Sequence, residues 1–343
     1  MSTISVIVPV YNGAATLGAA LRSARAQTHC ELQIIVIDDG STDDSLEIAR
    51  HIAALDRRVE VIATSNRGVA TARNTGLARA TGAYVAPLDA DDLWHPSKLE
   101  LQLAALKQAG PDAVLTYSWF APIDAGGCIS RIPKMPEVEG PVFYRHLDYN
   151  FIANGSSALI RGDAMRAVGY DPAFSHAEDY KLQLELALRG TFVCTRAVLT
   201  GYRKVGTGLS SEVENMLTAH IALMDAMRSP RRPFADAVID QRIAEFEIEL
   251  VRNRLRRKHF GEGAAALMRG LKRSPKAALN RIGIEARQAL SRGRESNPTF
   301  GSPVGEKFPL SNPHARVAQP IPDHHHKRLA SLALLDARAD YQS

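Results

Sequence analysis

The chain reads as an α/β protein built on a largely parallel sheet, and three observations predict it. Short apolar runs at 4–10, 33–37, 59–63 and 84–88 are separated by segments whose apolar residues recur at helical spacing. Strand and helix alternate strictly as far as Tyr117, the pattern of sheets whose strands run parallel. Two of the runs stop abruptly at carboxylates, Asp38-Asp39 and Asp89-Ala90-Asp91-Asp92, and ligands of open α/β sheets bind outside the carboxyl ends of the strands.

Ile4 to Val10 is a buried strand closed by Tyr11-Asn12-Gly13, and Leu17, Leu21 and Ala24 mark the helix after it. Gln33 to Ile37 is the second strand. Ser41 or Thr42 can cap the next helix, which carries Leu46, Ile48, Ala49 and Ile52. Val59 to Ala63 leads through Asn66-Arg67-Gly68 into a helix with Val69, Ala72 and Leu77 that stops at Gly82. The Tyr84 strand follows, then a helix from Pro96 to about Gln108 and a strand from Ala113 to Tyr117. Past residue 120 the pattern loosens into loop. Ser156 to Arg161 and Val193 to Val205 read as extended, Glu178 to Leu188 as helix, and Ile239, Ile243, Phe246 and Leu250 as one apolar helix face. Two short basic helices are expected up to about Arg292, and the Pro, Gly and Ser content of 295–343 reads as a flexible tail. The expected division is 1–212, 213–294 and 295–343.

With 343 residues, 45% apolar and 23% charged, the chain has an ordinary globular composition and room for a substantial core. Cys30, Cys128 and Cys194 are scattered and lack metal-ligand spacing, so a reduced compartment and no structural zinc are expected. The first apolar segment has no basic region before it and meets Pro9 and Gly13, which reads as a strand and not a signal peptide. No stretch approaches the ~20 apolar residues that span a bilayer. The net charge of +5 is uneven: residues 251–294 hold 13 Lys/Arg against Glu262 and Glu285, leaving the rest mildly acidic.

Asp89 and Asp91 can present oxygen to one hard cation and leave room for water and a substrate phosphate. A carboxylate at Asp38 or Asp39 can accept hydrogen bonds from a base or a ribose. Either cluster alone fits a turn or a helix cap equally well; two of them at strand ends suggest a shared crevice. The chain has no GxGxxG after its first strand and no GxxxxGK[ST].

Four ordered motifs then carry a resemblance: Val8-Pro9-Val10-Tyr11-Asn12, Asp38-Asp39-Gly40-Ser41-Thr42-Asp43, Asn66-Arg67-Gly68 with Ala72-Arg73-Asn74-Thr75-Gly76, and Leu88-Asp89-Ala90-Asp91-Asp92. Together they resemble the family 2 glycosyltransferases, densely over 4–110 and more loosely to about 211. The resemblance implies a GT-A fold, a mixed sheet flanked by helices, with the basic helices as a C-terminal extension. It implies that Pro9, Tyr11, Asn12, Asp38 and Asp39 border a nucleotide, with Asn66 and Gly68 nearby and Arg73 and Asn74 along the donor. Asp89-Ala90-Asp91 would be the metal-binding DxD motif, with Asp91 and Asp89 holding Mg²⁺ or Mn²⁺. By spacing alone, Arg73 and Asn74 fit a surface ion pair and a cap.

His176-Ala177-Glu178-Asp179-Tyr180 resembles the family's ED motif, which implies Asp179 as general base and Glu178 as the group orienting it. An acceptor hydroxyl needs such a base, being a poor nucleophile until its proton is removed. Without the upstream motifs, acids at a helix start are dipole-favourable capping. Gly155-Ser156-Ser157, Arg161 and Gly169-Tyr170-Asp171 match the approach to that base and are candidate acceptor-pocket residues. Tyr202-Arg203-Lys204 with Leu209-Ser210 resembles a later element in which a histidine normally stands where this chain has Val205. Arg203 and Lys204 remain candidates to steady phosphate charge. The QxxRW signature of processive synthases is missing, which favours single additions.

The expected function is metal-dependent, inverting transfer of a sugar from a nucleotide-sugar, UDP by default, to a hydroxyl of a glycan or lipid-linked acceptor in cell-surface polysaccharide synthesis. The alternatives are a nucleotidyltransferase and a non-catalytic nucleotide- or glycan-binding scaffold. The acids suit a metal better than a glycosidase pair. The basic helices lack interleaved aromatics, which argues against nucleic acid. An anionic membrane face and a solvated surface both fit them. The expected location is the cytoplasm, with the inner membrane face as a candidate docking surface. His324-His325-His326 reads as part of an unstructured tail.

Overall fold

The computed structural model describes residues 2–133, 135–203, 212–291, 306–308, 332, 333, 335 and 336. The chain divides into two compact units: residues 1–146, 150–205 and 303–343 form the first, and 147–149 with 206–302 the second.

In the first unit the alternation continues as read: β1 (Ile4–Val10), α1 (Ala14–Arg25), β2 (Leu32–Asp38), α2 (Ser45–Leu55), β3 (Val59–Ala63), α3 (Val69–Arg79) and β4 (Tyr84–Pro87). There follow β5 (Leu93–Trp94), α4 (Lys98–Ala109), β6 (Ala113–Ile123), α5 (Phe143–Asp148), β7 (Ala158–Arg161), α6 (Gly162–Val168), α7 (Glu178–Ala187) and β8 (Thr191–Arg203). The strands form one eight-stranded sheet in the order β3-β2-β1-β4-β7-β6-β8-β5.

The β3-β2-β1-β4 half is parallel throughout. β7 runs antiparallel to β4 and β6, and β5 antiparallel to β8, so the sheet is mixed. All seven residues of β1 are buried, which is why it reads as an uninterrupted apolar run. Leu17, Leu21 and Ala24 of α1 pack with Ile4, Val6 and Val8 in the main core. Each such leucine contributes roughly 1.5–3 kcal/mol by leaving water.

β1 and β2 pair with Val10 opposite Asp38, and Ile4 of β1 faces Tyr84 of β4. That register puts the Tyr11, Asp39 and Asp89 loops at the same end of the sheet. β5, α5 and α6 were not legible in sequence, being too short to show a period.

The second unit contains α8 (Val213–Ala226), α9 (Pro233–Arg256), α10 (Phe260–Arg273) and α11 (Pro275–Ser291). Ile239, Ile243, Phe246 and Leu250 are all buried along α9, as their spacing predicts. Ala244 and Ile248 of α9 pack with Ala277 and Ala278 of α11.

The basic residues of this unit are largely answered by carboxylates. Arg254 meets Glu214, Arg269 meets Glu247, Arg273 meets Asp225 and Asp240, and Arg281 meets Glu249. Residues 212–291 hold 15 Lys/Arg and 10 Asp/Glu, a net +5. Residues 212–250 hold 8 Asp/Glu against 4 Lys/Arg, which offsets part of the charge excess of 251–294.

The tail differs from a free, flexible one at its described residues. Phe308 is 4% exposed and Asp336 1% exposed. Asp336 accepts hydrogen bonds from the backbone amides of Tyr144 and Arg145 and from Arg145 Nε (2.7 Å). A compositional reading cannot see these contacts, because the partners of Asp336 lie 191 and 192 residues away in sequence. The His324–His326 run is outside the described residues.

Candidate active site

The nucleotide-side loops are fastened to one another. Asn12, at φ 51°, accepts from the Thr42 amide (2.8 Å) and donates its own amide to Ser41 Oγ (3.0 Å). Asp43 accepts from Ala14 N at the start of α1 (3.0 Å). Tyr11 stands 53% exposed just past β1, with its ring open to a planar ligand. Pro9, paired with Ile37, lies inside the strand.

Asp39 is 4% exposed and accepts from the amides of Arg67 (3.0 Å) and Gly68 (2.9 Å), which holds the exposed Asn66-Arg67-Gly68 loop against the end of β2. Asp38 accepts from Ser41 N on one oxygen, while its buried Oδ1 has no partner among the described residues.

Arg73, on α3 and 2% exposed, is the centre of the site. Its Nη2 donates to Asp89 Oδ1 (2.6 Å) and its Nη1 to Glu178 Oε1 (2.7 Å); Nη1 also lies 3.1 Å from Asp179 Oδ1. The guanidinium sits over the Tyr170 ring, 5.2 Å from its centroid. A planar guanidinium spreads its donors in a rigid fork that reaches carboxylates on several sides, a geometry the compact ammonium lacks. Sequence spacing allowed a surface ion pair here; the structure instead buries a bridge between acids 16 and 105 residues away.

The acid loop after β4 is braced from several sides. Asp89 N donates to Ser156 Oγ (3.0 Å), and Trp94 Nε1 to Ser156 O (2.8 Å). Asp92 is wholly buried and accepts the amide of Arg203 (2.9 Å). Burial and the charges of Asp91 and Asp89 push the Asp92 carboxyl well above the usual range. Burial and the Asp89 charge also push Asp91 up to about 6.

A buried Asp91 carboxyl with the Asp89 charge two residues away fits a divalent cation. No group of three or more acidic, His or Cys ligands forms among the described residues. Asp89 and Asp91 are the residues that could hold such an ion, with diphosphate oxygens and water in its other positions.

Glu178 and Asp179 open α7, where the helix dipole favours negative charge. The Asp179 side chain is 22% exposed. Burial pushes it up to about 7, with Arg73 pulling down and Glu178 and Asp89 pushing up. A carboxylate in that range is matched to taking a proton near neutral pH. Gly155 lies directly against it: a Cβ at 155 would stand 2.7 Å from Asp179 Oδ2. Backbone strain gathers here as well, since Ala153 (φ 65°), His176 (φ 70°) and Asn12 adopt the left-handed region that non-glycine residues avoid.

Two residues expected along the donor bond to the backbone. Asn74 gives both ends of its amide to the backbone of Tyr170, donating to O (2.7 Å) and accepting from N (2.8 Å). Arg203 donates from Nε to the carbonyl of Asp91 (2.7 Å) and from Nη1 to those of Asp124 (2.7 Å) and Ala125 (2.6 Å), so it braces the acid loop. Ala90 is part of that loop and half-buried. Val205, Lys204, Leu209 and Ser210 lie outside the described residues. Sequence reasoning missed Asp92 as an anchor, although it was the third acid of the run. It also missed Ser156 as a brace, whose only signal was the Gly-Ser-Ser run.

The family profile described as Glycosyl transferase family 2 matches residues 5–154. An uncharacterized glycosyltransferase of Haemophilus influenzae is 41% identical over 191 residues, 54% of this chain and 72% of that protein. One of Rickettsia conorii is 44% identical over 105 residues, 31% of this chain but only 17% of that much longer protein. Among solved structures, S. aureus TarS 1-349 in complex with UDP-GlcNAc superposes with a TM-score of 0.61 at 14% identity, covering 94% of this chain and 100% of that one. The mannosyltransferase PcManGT from Pyrobaculum calidifontis, in complex with GDP-Man and Mn²⁺, gives 0.56 at 22% identity, covering 84% and 81%. The fold is therefore GT-A, and the chain belongs to glycosyltransferase family 2.

Proposed function

We propose that this chain transfers a sugar from a nucleotide-sugar to an acceptor hydroxyl with inversion at the anomeric carbon. The observation that carries the reading is the Arg73 bridge, which sets the acid of the donor loop, Asp89, and the base, Asp179, on one guanidinium. Pro9, Tyr11, Asp38 and Asp39, with Asn66 and Gly68, line the nucleotide side in this reading. Asp179 takes the proton of the acceptor hydroxyl as its oxygen bonds to the anomeric carbon, and the bond from that carbon to the diphosphate oxygen breaks on the opposite face. Glu178 and Arg73 hold Asp179 in place. A divalent cation on Asp91 and Asp89 offsets charge on the departing nucleoside diphosphate when it is bound.

The neighbours crystallised with UDP-GlcNAc or with GDP-Man and Mn²⁺ support a nucleotide-sugar and a divalent ion here. The acceptor class we favour is a glycan or lipid-linked glycan of the cell surface. Exposed Phe260 and Met268 beside Arg256, Lys258, Lys272 and Lys276 support contact with an anionic membrane face. No helix among the described residues is long and apolar enough to cross a membrane.

A thermal-shift panel of UDP- and GDP-sugars with and without Mn²⁺ tests the donor, because a ligand bound to the native state raises the melting point. Product analysis then separates the classes: nucleoside diphosphate release supports glycosyl transfer, whereas pyrophosphate release would show a nucleotidyltransferase. A chain that binds donor but leaves it intact with every acceptor offered would be a binding scaffold. Full turnover by Asp179→Asn would remove the assigned base.

A further inference from the structure

Residues 306–308 return from the far end of the chain to the loop that follows β6. That loop is a tight hairpin: Ile123 pairs with Ile129, and Asp124 accepts the Gly127 and Cys128 amides. The returning segment adds a third strand. Ile129 N donates to Glu306 O (2.8 Å), Phe308 N donates to Gly127 O (3.0 Å), and Lys307 lies opposite Cys128. Lys307 Nζ also donates to Gly126 O.

Phe308 is the apolar anchor. It is 4% exposed, and its ring lies so close to Gly201 of β8 that a Cβ there would stand 3.0 Å from it. Gly201 pairs with Leu93, just past the acid loop.

The same hairpin also holds Arg203, which braces the acid loop. Its carbonyls at Asp124 and Ala125 accept Arg203 Nη1, while Arg203 Nε holds Asp91 O and Arg203 N holds Asp92 Oδ1. A continuous set of contacts therefore runs from Phe308 through the 124–129 hairpin and Arg203 to the loop bearing Asp89 and Asp91.

We propose that the C-terminal segment around Phe308 is a positioning element of the active site, fixing the Asp89–Asp92 loop through the 124–129 hairpin and Arg203. Its consequence for donor binding rests on the reading of Asp89 and Asp91 given above. The mechanical link does not.

Phe308→Ala in the full chain tests it, read by amide exchange without metal or nucleotide. Exchange at 89–94 and 124–129 should quicken several-fold, with β1 to β3 unchanged. Affinity for Mn²⁺·UDP should fall about fivefold to tenfold, the scale of coupling carried through packed contacts. Steady-state kinetics should show a raised donor KM with kcat changed less; a merely destabilised chain would lose active fraction at constant KM.

Lys307 and Cys128 form a non-hydrogen-bonded antiparallel pair, whose Cα atoms lie about 4.5 Å apart, within disulfide reach. Lys307→Cys, oxidised with glutathione disulfide, should bond to Cys128, slow exchange at 89–94, and restore it in the Phe308→Ala background. This second variant keeps the test decisive if Phe308→Ala folds poorly. Unchanged exchange at 89–94 in both variants would overturn the proposal. A native chain that binds no Mn²⁺·UDP would overturn the metal reading and leave the exchange result to decide this one.

Discussion

Gly155→Ala should cripple catalysis through Asp179 while leaving donor binding nearly intact. A methyl at 155 would meet Asp179 Oδ2 at 2.7 Å and its Cγ and Oδ1 at 3.0 Å. Ordinary contact begins near 3.4 Å, so the carboxylate must retreat by roughly 0.7 Å. A displacement of ~1 Å at a reacting group costs on the order of 100-fold. We expect kcat to fall about 30- to 100-fold, or ~2–3 kcal/mol of transition-state stabilisation. The donor KM should move little, because Gly155 lies against the base. Overpacking costs about 1–3 kcal/mol of stability, partly offset by about 0.4–1 kcal/mol from the stiffer unfolded chain. The folded fraction should therefore be checked by circular dichroism at the assay temperature. The deciding comparison is a double-mutant cycle with Asp179→Asn. With no base left to misplace, Gly155→Ala should cost less than about threefold in that background. An equal loss in both backgrounds would show that Gly155 acts by some route other than Asp179.

Arg73→Met should destabilise the chain by about 3–5 kcal/mol in urea unfolding, because it strands Asp89, Glu178 and Asp179 without their shared cation. Arg73→Lys should recover only part of this, since a compact ammonium lacks the planar fork that reaches all three carboxylates at once. His146 is buried against Phe151 and donates from Nε2 to Gln183 Oε1 (3.0 Å), and burial pushes it down to about 3. Its folded pKa lies below the unfolded value, so it costs nothing above about pH 6.5 and erodes stability from there down toward pH 3. At pH 5 the loss is about 2 kcal/mol, and His146→Gln should flatten that acid slope in urea midpoints even if it lowers stability at neutral pH. Ala153→Gly should raise stability by about 0.5–1 kcal/mol in thermal melts by relieving the φ of 65°; a loss would mean that the methyl contacts matter more than the strain.

The α/β order, the strand ends at which acids gather and the four motifs that carry the family are legible in the chain alone. Each is local: β1 is an apolar run because both its faces are covered, and the Ile239–Leu250 stripe of α9 repeats with the helical period. Pairing was less legible. Whether β7 runs antiparallel between β4 and β6 depends on contacts between residues ~45–75 apart, to which no period in sequence refers. The site shows the same divide. Asp89, Asp91, Glu178 and Asp179 could be named one by one, but that Arg73 joins Asp89, Glu178 and Asp179, that Asn74 and Arg203 bond to the backbone, and that Phe308 comes back from the tail appears in the folded chain alone. A guanidinium's partner is whichever carboxylate the fold brings within 3 Å, and burial makes that choice costly to leave unmade. Chain order records neither the distance nor the burial.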